Sequence, residues 1–312
     1  MAGVSSSERP RGTVVAVLSL LGATLFWAGN YVVGEAAVAT IDPASLVFLR
    51  WLFAAVPLIV IARLVERPSW RQALRAWPWL LALSVTGVVG YTLLLYGALQ
   101  YTSAFNASLI NAFNPALIAL AAAVFLRERL TATSVIGVLL ALAGVLIVLS
   151  RGDLGALASD GFGLGDLLMI GAILAWTVYT ILGRVAPKVP PITATAVQAV
   201  IAAALMAPVT LLTGGPALPA DGAGWWALAY IVIFPSVLSY LLWNRALTVI
   251  PPGRAGVFLN LLTVFTAVLT VLTGQAITLP QILGGLVILA GIAIANTHVF
   301  RRSPRPGVPA RP

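Results

Sequence analysis

The sequence predicts an all-α polytopic membrane protein, with ten transmembrane helices arranged as two inverted five-helix repeats. Three observations predict it. First, the 312 residues are 60% hydrophobic and only 9% charged, with a mean hydropathy of +1.02. An ordinary soluble domain is about 25% charged. No water-soluble core hides this much apolar surface, so the bilayer must solvate most of it. Second, Gly22-Ala23-Thr24-Leu25-Phe26-Trp27, running on to Gly34, returns as Gly171-Ala172-Ile173-Leu174-Ala175-Trp176, running on to Gly183. A stretch that recurs half a chain length later marks a duplicated chain. Third, the basic residues gather in alternate connections between apolar runs.

Residues 1–13 are polar and read as a short disordered tail. Ten apolar spans follow, at 14–34, 44–64, 77–99, 103–126, 131–149, 165–185, 191–213, 225–247, 254–273 and 278–298. Each is close to the ~20 residues a helix needs to cross the hydrocarbon. The first five make one repeat (14–149) and the last five the other (165–298), joined by a polar linker at 150–164 and followed by a tail at 299–312. Gly161-Phe162-Gly163-Leu164-Gly165 has the look of a nucleotide loop, but no strand precedes it, so a flexible linker is the reading taken. The first span is too long for a signal peptide's apolar region and lacks a clear cleavage site, so no cleaved leader is expected.

Arg and Lys set the orientation. The N-terminal tail, the C-terminal tail and every second connection hold 16 of the 18 basic residues, among them Arg63, Arg67, Arg127, Arg129, Arg184, Lys188, Arg245 and Arg254. The other connections hold only Arg151, together with six of the nine acids. Both termini are therefore expected in the cytoplasm and the 150–164 linker outside, in a cell (inner) membrane. The net charge of +9 is then an orientation signal and not a nucleic-acid footprint. Because five is odd, the second half enters from the opposite side. Homologous halves would be inverted repeats, an architecture common among alternating-access transporters. Further pairs support duplication: Gly137 and Gly144 match Gly284 and Gly291, Ala98-Leu99 matches Ala246-Leu247, and Ala107 matches Ala255, all 147 to 149 residues apart.

Phe26-Trp27-Ala28-Gly29-Asn30, Leu49-Arg50-Trp51, Tyr96-Gly97-Ala98-Leu99, Asn114-Pro115 and Leu126-Arg127-Glu128-Arg129-Leu130-Thr131 carry a family resemblance over nearly the full chain. The pattern resembles the drug/metabolite transporter superfamily, in particular its ten-helix EamA-type members, and among these the YddG-like aromatic amino-acid exporters. Gln275 departs from that pattern, standing where the second repeat would usually place its Glu. The resemblance implies a secondary transporter, with no cofactor.

Polar residues inside spans either tie helices together or line a water-filled path. Spans one, three, four, six, eight and nine carry mixtures of amides, hydroxyls and aromatics, whereas spans five and ten show Gly137, Ala141, Gly144, Gly291 and Ala295 with almost no polar atoms. Packing suits five and ten; a central cavity is favoured for the other six. Its expected substrate-binding residues are Trp27, Asn30, Tyr31, Tyr91, Asn111, Asn114, Trp176, Tyr179, Tyr240, Trp243, Asn260 and Thr263. Amides can meet a carboxylate or an ammonium, and the rings can stack on an apolar side chain. The competing reading for the aromatics is the interfacial belt, assigned here to Trp77, Trp79, Trp225, Trp226 and Tyr101.

Arg50, two turns into span two, reads either as a carboxylate clamp or as a structural cation paired with Glu35 or Asp42 or snorkelling outward; the second is favoured. Pro57, Pro78, Pro115, Pro208 and Pro235 are placed inside spans, with Pro115 and Pro235 as hinge candidates. No Asp or Glu sits at a span centre, which leans the reading toward facilitated export down a gradient. The expected function is export of small amphipathic metabolites, amino acids including aromatic ones, by alternating access in a monomer embedded in the lipid bilayer. The alternatives are a lipophilic-cation (multidrug) exporter, disfavoured for want of a counter-charge, a channel, and an intramembrane enzyme. Against an enzyme stand the lack of Cys, the lack of H-E-x-x-H or G-x-S-x-G, and a lone His298 beside the basic tail. No metal site is expected.

Overall fold

The computed structural model describes residues 8–128, 130–153 and 162–295; Arg129, His298, most of the 150–164 linker and the 299–312 tail lie outside the described residues. The described residues are all helical, without strands. Among the described residues, eight helices are long and apolar enough to cross a membrane: α1 (Gly12–Val38), α2 (Pro43–Glu66), α3 (Trp77–Leu99), α4 (Ala104–Phe125), α5 (Ala132–Leu149), α6 (Leu164–Val185), α7 (Pro191–Leu212) and α8 (Gly222–Leu247). Two shorter apolar helices, α9 (Gly256–Leu272) and α10 (Leu279–Ala295), occupy the places of the last two expected spans. The first helix begins at Glu8, inside the stretch expected to be a disordered tail. Pro10 does not prevent this, because first-turn N–H groups have no intrahelical partner to lose.

The helices pack in antiparallel pairs taken from different halves of the chain. Gly137 lies against Gly291 and Ala295, and Gly144 against Gly284 and Ile288, so α5 and α10 run in opposite directions along a seam of backbone contacts. α3 and α6 also run antiparallel, with Gly165 against Ala98 and Gly183 against Leu83, as do α1 and α8, with Gly22 against Leu242 and Gly29 against Tyr230. α2 lies on α7: the Glu66 carboxylate at one end of α2 accepts from the N–H groups of Ile192 (2.8 Å) and Thr193 (2.7 Å), which begin α7. At the other end Ser45 Oγ accepts from Ala217 N at 2.8 Å. Glu66 thus fills the anion-favouring start of a helix with the charge that suits it.

The interior proline assignments divide. Pro57 and Pro208 lie inside helices as expected. Pro78 is in the first turn of Trp77–Leu83, where no donor is lost. Pro115 is likewise in the first turn of Asn114–Phe125, because α4 breaks at Phe113 and restarts. Pro235 belongs to a π-helical turn, Phe234–Leu238, in α8. Two further π-helical stretches are Ala62–Glu66, at the end of α2, and Ser84–Gly90, in α3.

Candidate functional site

The wide turn at Pro235 organises one wall. Proline has no N–H, so the Ile231 carbonyl loses the donor an α-helix would give it. Ser236 Oγ supplies one at 2.6 Å. The same oxygen accepts from Arg50 Nε at 2.8 Å, and the Pro235 carbonyl accepts from Trp27 Nε1 at 3.1 Å. One wide turn in α8 thus holds side chains on both α1 and α2.

Arg50 is 4% exposed. Its Nη1 donates to Tyr96 Oη at 2.7 Å and to Asn30 Oδ1 at 3.2 Å, and Tyr96 Oη donates to Asn30 Oδ1 at 2.8 Å. The guanidinium also lies 4.8 Å from the Trp51 ring centre. This corrects the expected pairing. Glu35 instead accepts from Ala104 N (3.0 Å) and Gln275 Nε2 (3.3 Å), and Asp42 caps α2 by accepting from Ser45 N at 2.9 Å. Both acids are held by backbone donors near their own helix ends, while the Arg50 side chain turns inward.

A cavity of about 1090 Å³ adjoins this cluster. All twelve expected binding residues line it, from Trp27, Asn30 and Tyr31 through Tyr91, Asn111, Asn114, Trp176 and Tyr179 to Tyr240, Trp243, Asn260 and Thr263. Of the hinge candidates, Pro115 lines it and Pro235 lies behind the wall. Two aromatic groups face it. Trp27 meets Tyr240 edge-on at 5.8 Å and Trp243 at 5.5 Å. Tyr91 meets Trp176 at 5.0 Å, and Trp176 meets Tyr179 at 4.9 Å. Tyr91 is held by Tyr31 (2.8 Å) and by Asn111 Oδ1 (3.4 Å); Asn114 Oδ1 accepts from Thr177 at 3.1 Å. Thr263 donates to the Ser108 carbonyl at 3.2 Å, so its hydroxyl joins two helices as well as facing the cavity.

Further along α9, Thr266 bonds its own helix and Thr270 is buried, so both serve packing. Trp79, expected in the interfacial belt, lines the cavity, whereas Trp77 beside it is exposed. Sequence reasoning passed over Trp51, Gln198 and Asn244, which also line the cavity. Gln198 carried a signal: it is a carboxamide in the middle of an apolar span, and it is 4% exposed.

The cavity is one-sided. Its lining reaches exposed chain at Pro187, Lys188 and Pro190, beyond the end of α6, and includes Asn244 and Leu247 near the end of α8. None of the described residues in the connections at 39–42, 100–103 or 273–278 lines it. At that other end Arg50, Asn30 and Tyr96 close the path, with Asn106 donating to Asp166 Oδ1 at 3.1 Å behind them.

An apolar helical bundle around a closed-ended, aromatic-lined cavity is the build of a membrane transporter. The chain matches the EamA-like transporter family twice, over residues 14–150 and again over 163–297, and it belongs to that family. It is 29% identical over 282 residues to an uncharacterized transporter of Bacillus subtilis, YyaM, covering 89% of this chain and 92% of that one. An uncharacterized transporter of Archaeoglobus fulgidus is 29% identical over 278 residues, covering 87% and 94% of the two chains. Over 175 residues the chain is 24% identical to an uncharacterized inner membrane transporter of Escherichia coli, YhbE, covering 55% and 54%. A solved crystal structure shares the fold, with a TM-score of 0.64 at 24% identity over 92% of this chain and 98% of the other.

Proposed function

We propose that the protein is a ten-helix secondary transporter of two inverted five-helix repeats, which exports small amphipathic metabolites, amino acids including aromatic ones, by alternating access. The observation that carries this is the cavity itself, closed at one end by the Arg50 cluster and faced by two aromatic groups set among carboxamides. Rings to hold an apolar side chain and amides to hold a polar head suit a zwitterion with a hydrophobic body.

Recurring contacts support the inverted repeats. Gly22 touches Leu242, and Gly171 touches Leu94. Glu35 bonds Gln275, and 149 residues after Glu35, Arg184 pairs with Glu128 at 2.9 Å. With both termini in the cytoplasm, as the basic residues favour, the end beside Lys188 opens inward, the side from which an exporter loads. A lipophilic-cation exporter would find π faces here, but no Asp or Glu lines the cavity among the described residues, and Arg50 does.

The test is transport by the purified protein in liposomes, with a panel of neutral amino acids. Movement of aromatic members above empty liposomes is expected. If neither aromatic nor other neutral amino acids move, the substrate reading is wrong.

A further inference from the structure

We infer that Arg50 is an anion seat at the closed end of the cavity, so that a transported solute must carry a carboxylate or an equivalent anionic group. This rests on the cavity being the transport path. A guanidinium has five N–H donors and no acceptor. The three hydrogen bonds of Arg50 all go to neutral groups, Ser236, Asn30 and Tyr96. The one ion pair among the described residues is Arg184 with Glu128, elsewhere in the protein. Arg50 is therefore a nearly fully buried cation with no counter-charge, a costly state in a membrane interior that marks functional rather than structural use.

The neighbouring polar atoms sharpen this. Arg50 Nη2 makes no hydrogen bond among the described residues, and Trp51 Nε1, on the next residue, is buried without a partner. Both residues line the cavity. Asn30 and Asn111 engage their oxygens, Asn30 with Arg50 and Tyr96 and Asn111 with Tyr91, and their Nδ2 groups make no hydrogen bond among the described residues. Donors are in surplus here and acceptors are short. Glu35 and Asp42, the nearby carboxylates in sequence, are engaged by Ala104, Gln275 and Ser45. A solute carboxylate brings two acceptor oxygens and the missing charge, and its apolar part would lie back toward Trp27 and Tyr91. Because the same guanidinium fastens α1, α2, α3 and α8, an anion arriving at Nη2 also competes for the group that closes this end.

Two probe series separate carboxylate from ammonium: phenylalanine, 3-phenylpropionate and 2-phenylethylamine, and then leucine, 4-methylpentanoate and 3-methylbutylamine. Binding is read by calorimetry on the full-length protein in detergent and flux by liposome uptake. In the wild type the amino acids and acids bind, and the amines bind about tenfold more weakly or worse, as loss of a charge-assisted hydrogen bond implies. Arg50→Gln weakens the acids by a similar factor, and Arg50→Lys restores part of it. Should Arg50→Gln fail to fold, the wild-type series decides alone. Amines that bind and move as well as the acids overturn the seat and leave the transporter reading standing. Acids that bind Arg50→Gln as tightly as wild type do the same. Failure of all six compounds to bind or move overturns the proposed function, and the seat with it.

Discussion

The seam between α5 and α10 and the walls of the cavity are both built on glycine, and they use it in opposite ways. In the seam, glycine lets backbone meet backbone: a Cβ on Gly291 would come within 2.6 Å of Ala141 N, and one on Gly144 within 2.7 Å of the Gly284 carbonyl oxygen. In the walls, glycine makes room for a ring: a Cβ on Gly87 would overlap the Tyr179 ring, 2.7 Å from its Cε2, and both residues line the cavity. A backbone neighbour cannot move aside without unpacking a helix, whereas a ring can swing into an open cavity. The seam therefore fixes the architecture, while Gly87 fixes where the Tyr179 ring stands.

Substitutions can break this contrast, in descending order of effect. Gly144→Val or Gly291→Val should cost about 3 kcal/mol or more by overpacking the seam, seen as loss of monodisperse protein or a sharply lowered Tm. If either variant folds and transports normally, the seam does not hold the bundle. Gly87→Ala should cost about 1 kcal/mol but reduce liposome uptake several-fold, because Tyr179 must leave its seat. An unfolding temperature that falls as far as for the seam variants would erase the distinction. Trp27→Phe removes a hydrogen bond to the Pro235 carbonyl and should cost about 1 kcal/mol. Trp176→Phe should cost less, since Trp176 Nε1 makes no hydrogen bond among the described residues, though both should lower uptake. Smallest of all, Gly97→Ala and Gly171→Ala place a Cβ at ordinary contact distance, 3.6 Å and 3.4 Å from leucine methyl groups. Their Tm should stay put or rise slightly, as helix propensity favours alanine by up to about 1 kcal/mol.

Composition and period made the helices legible, and the paired glycines marked which of them pack by backbone contact. The cavity lining was legible where a large amphipathic side chain sat deep in an apolar run, as with Trp27, Tyr91 and Trp176. Arg50 was misplaced because a sequence shows which charges are near in the chain and not which helix faces them; its partners come from α1, α3 and α8. Trp79 was misread because a span-end tryptophan has the same local pattern whether it meets lipid or a cavity. The break at Phe113 and the π turns lie beyond hydrophobic period altogether, since a wide turn depends on which carbonyls find other donors.

The wide turns at Ser84–Gly90 and Phe234–Leu238 give α3 and α8 something the seam helices lack, which is slack. A π turn holds roughly one residue more than an α turn, and a run of exchanged hydrogen bonds can pass that surplus along the axis without unwinding the helix. Each passage turns the side chains on one side of it relative to those on the other. Tyr91 directly follows the turn in α3, and Tyr240 lies two residues past the one in α8. Moving the surplus by one turn would re-aim one tyrosine in each wall, so winding alone would change the shape of the cavity.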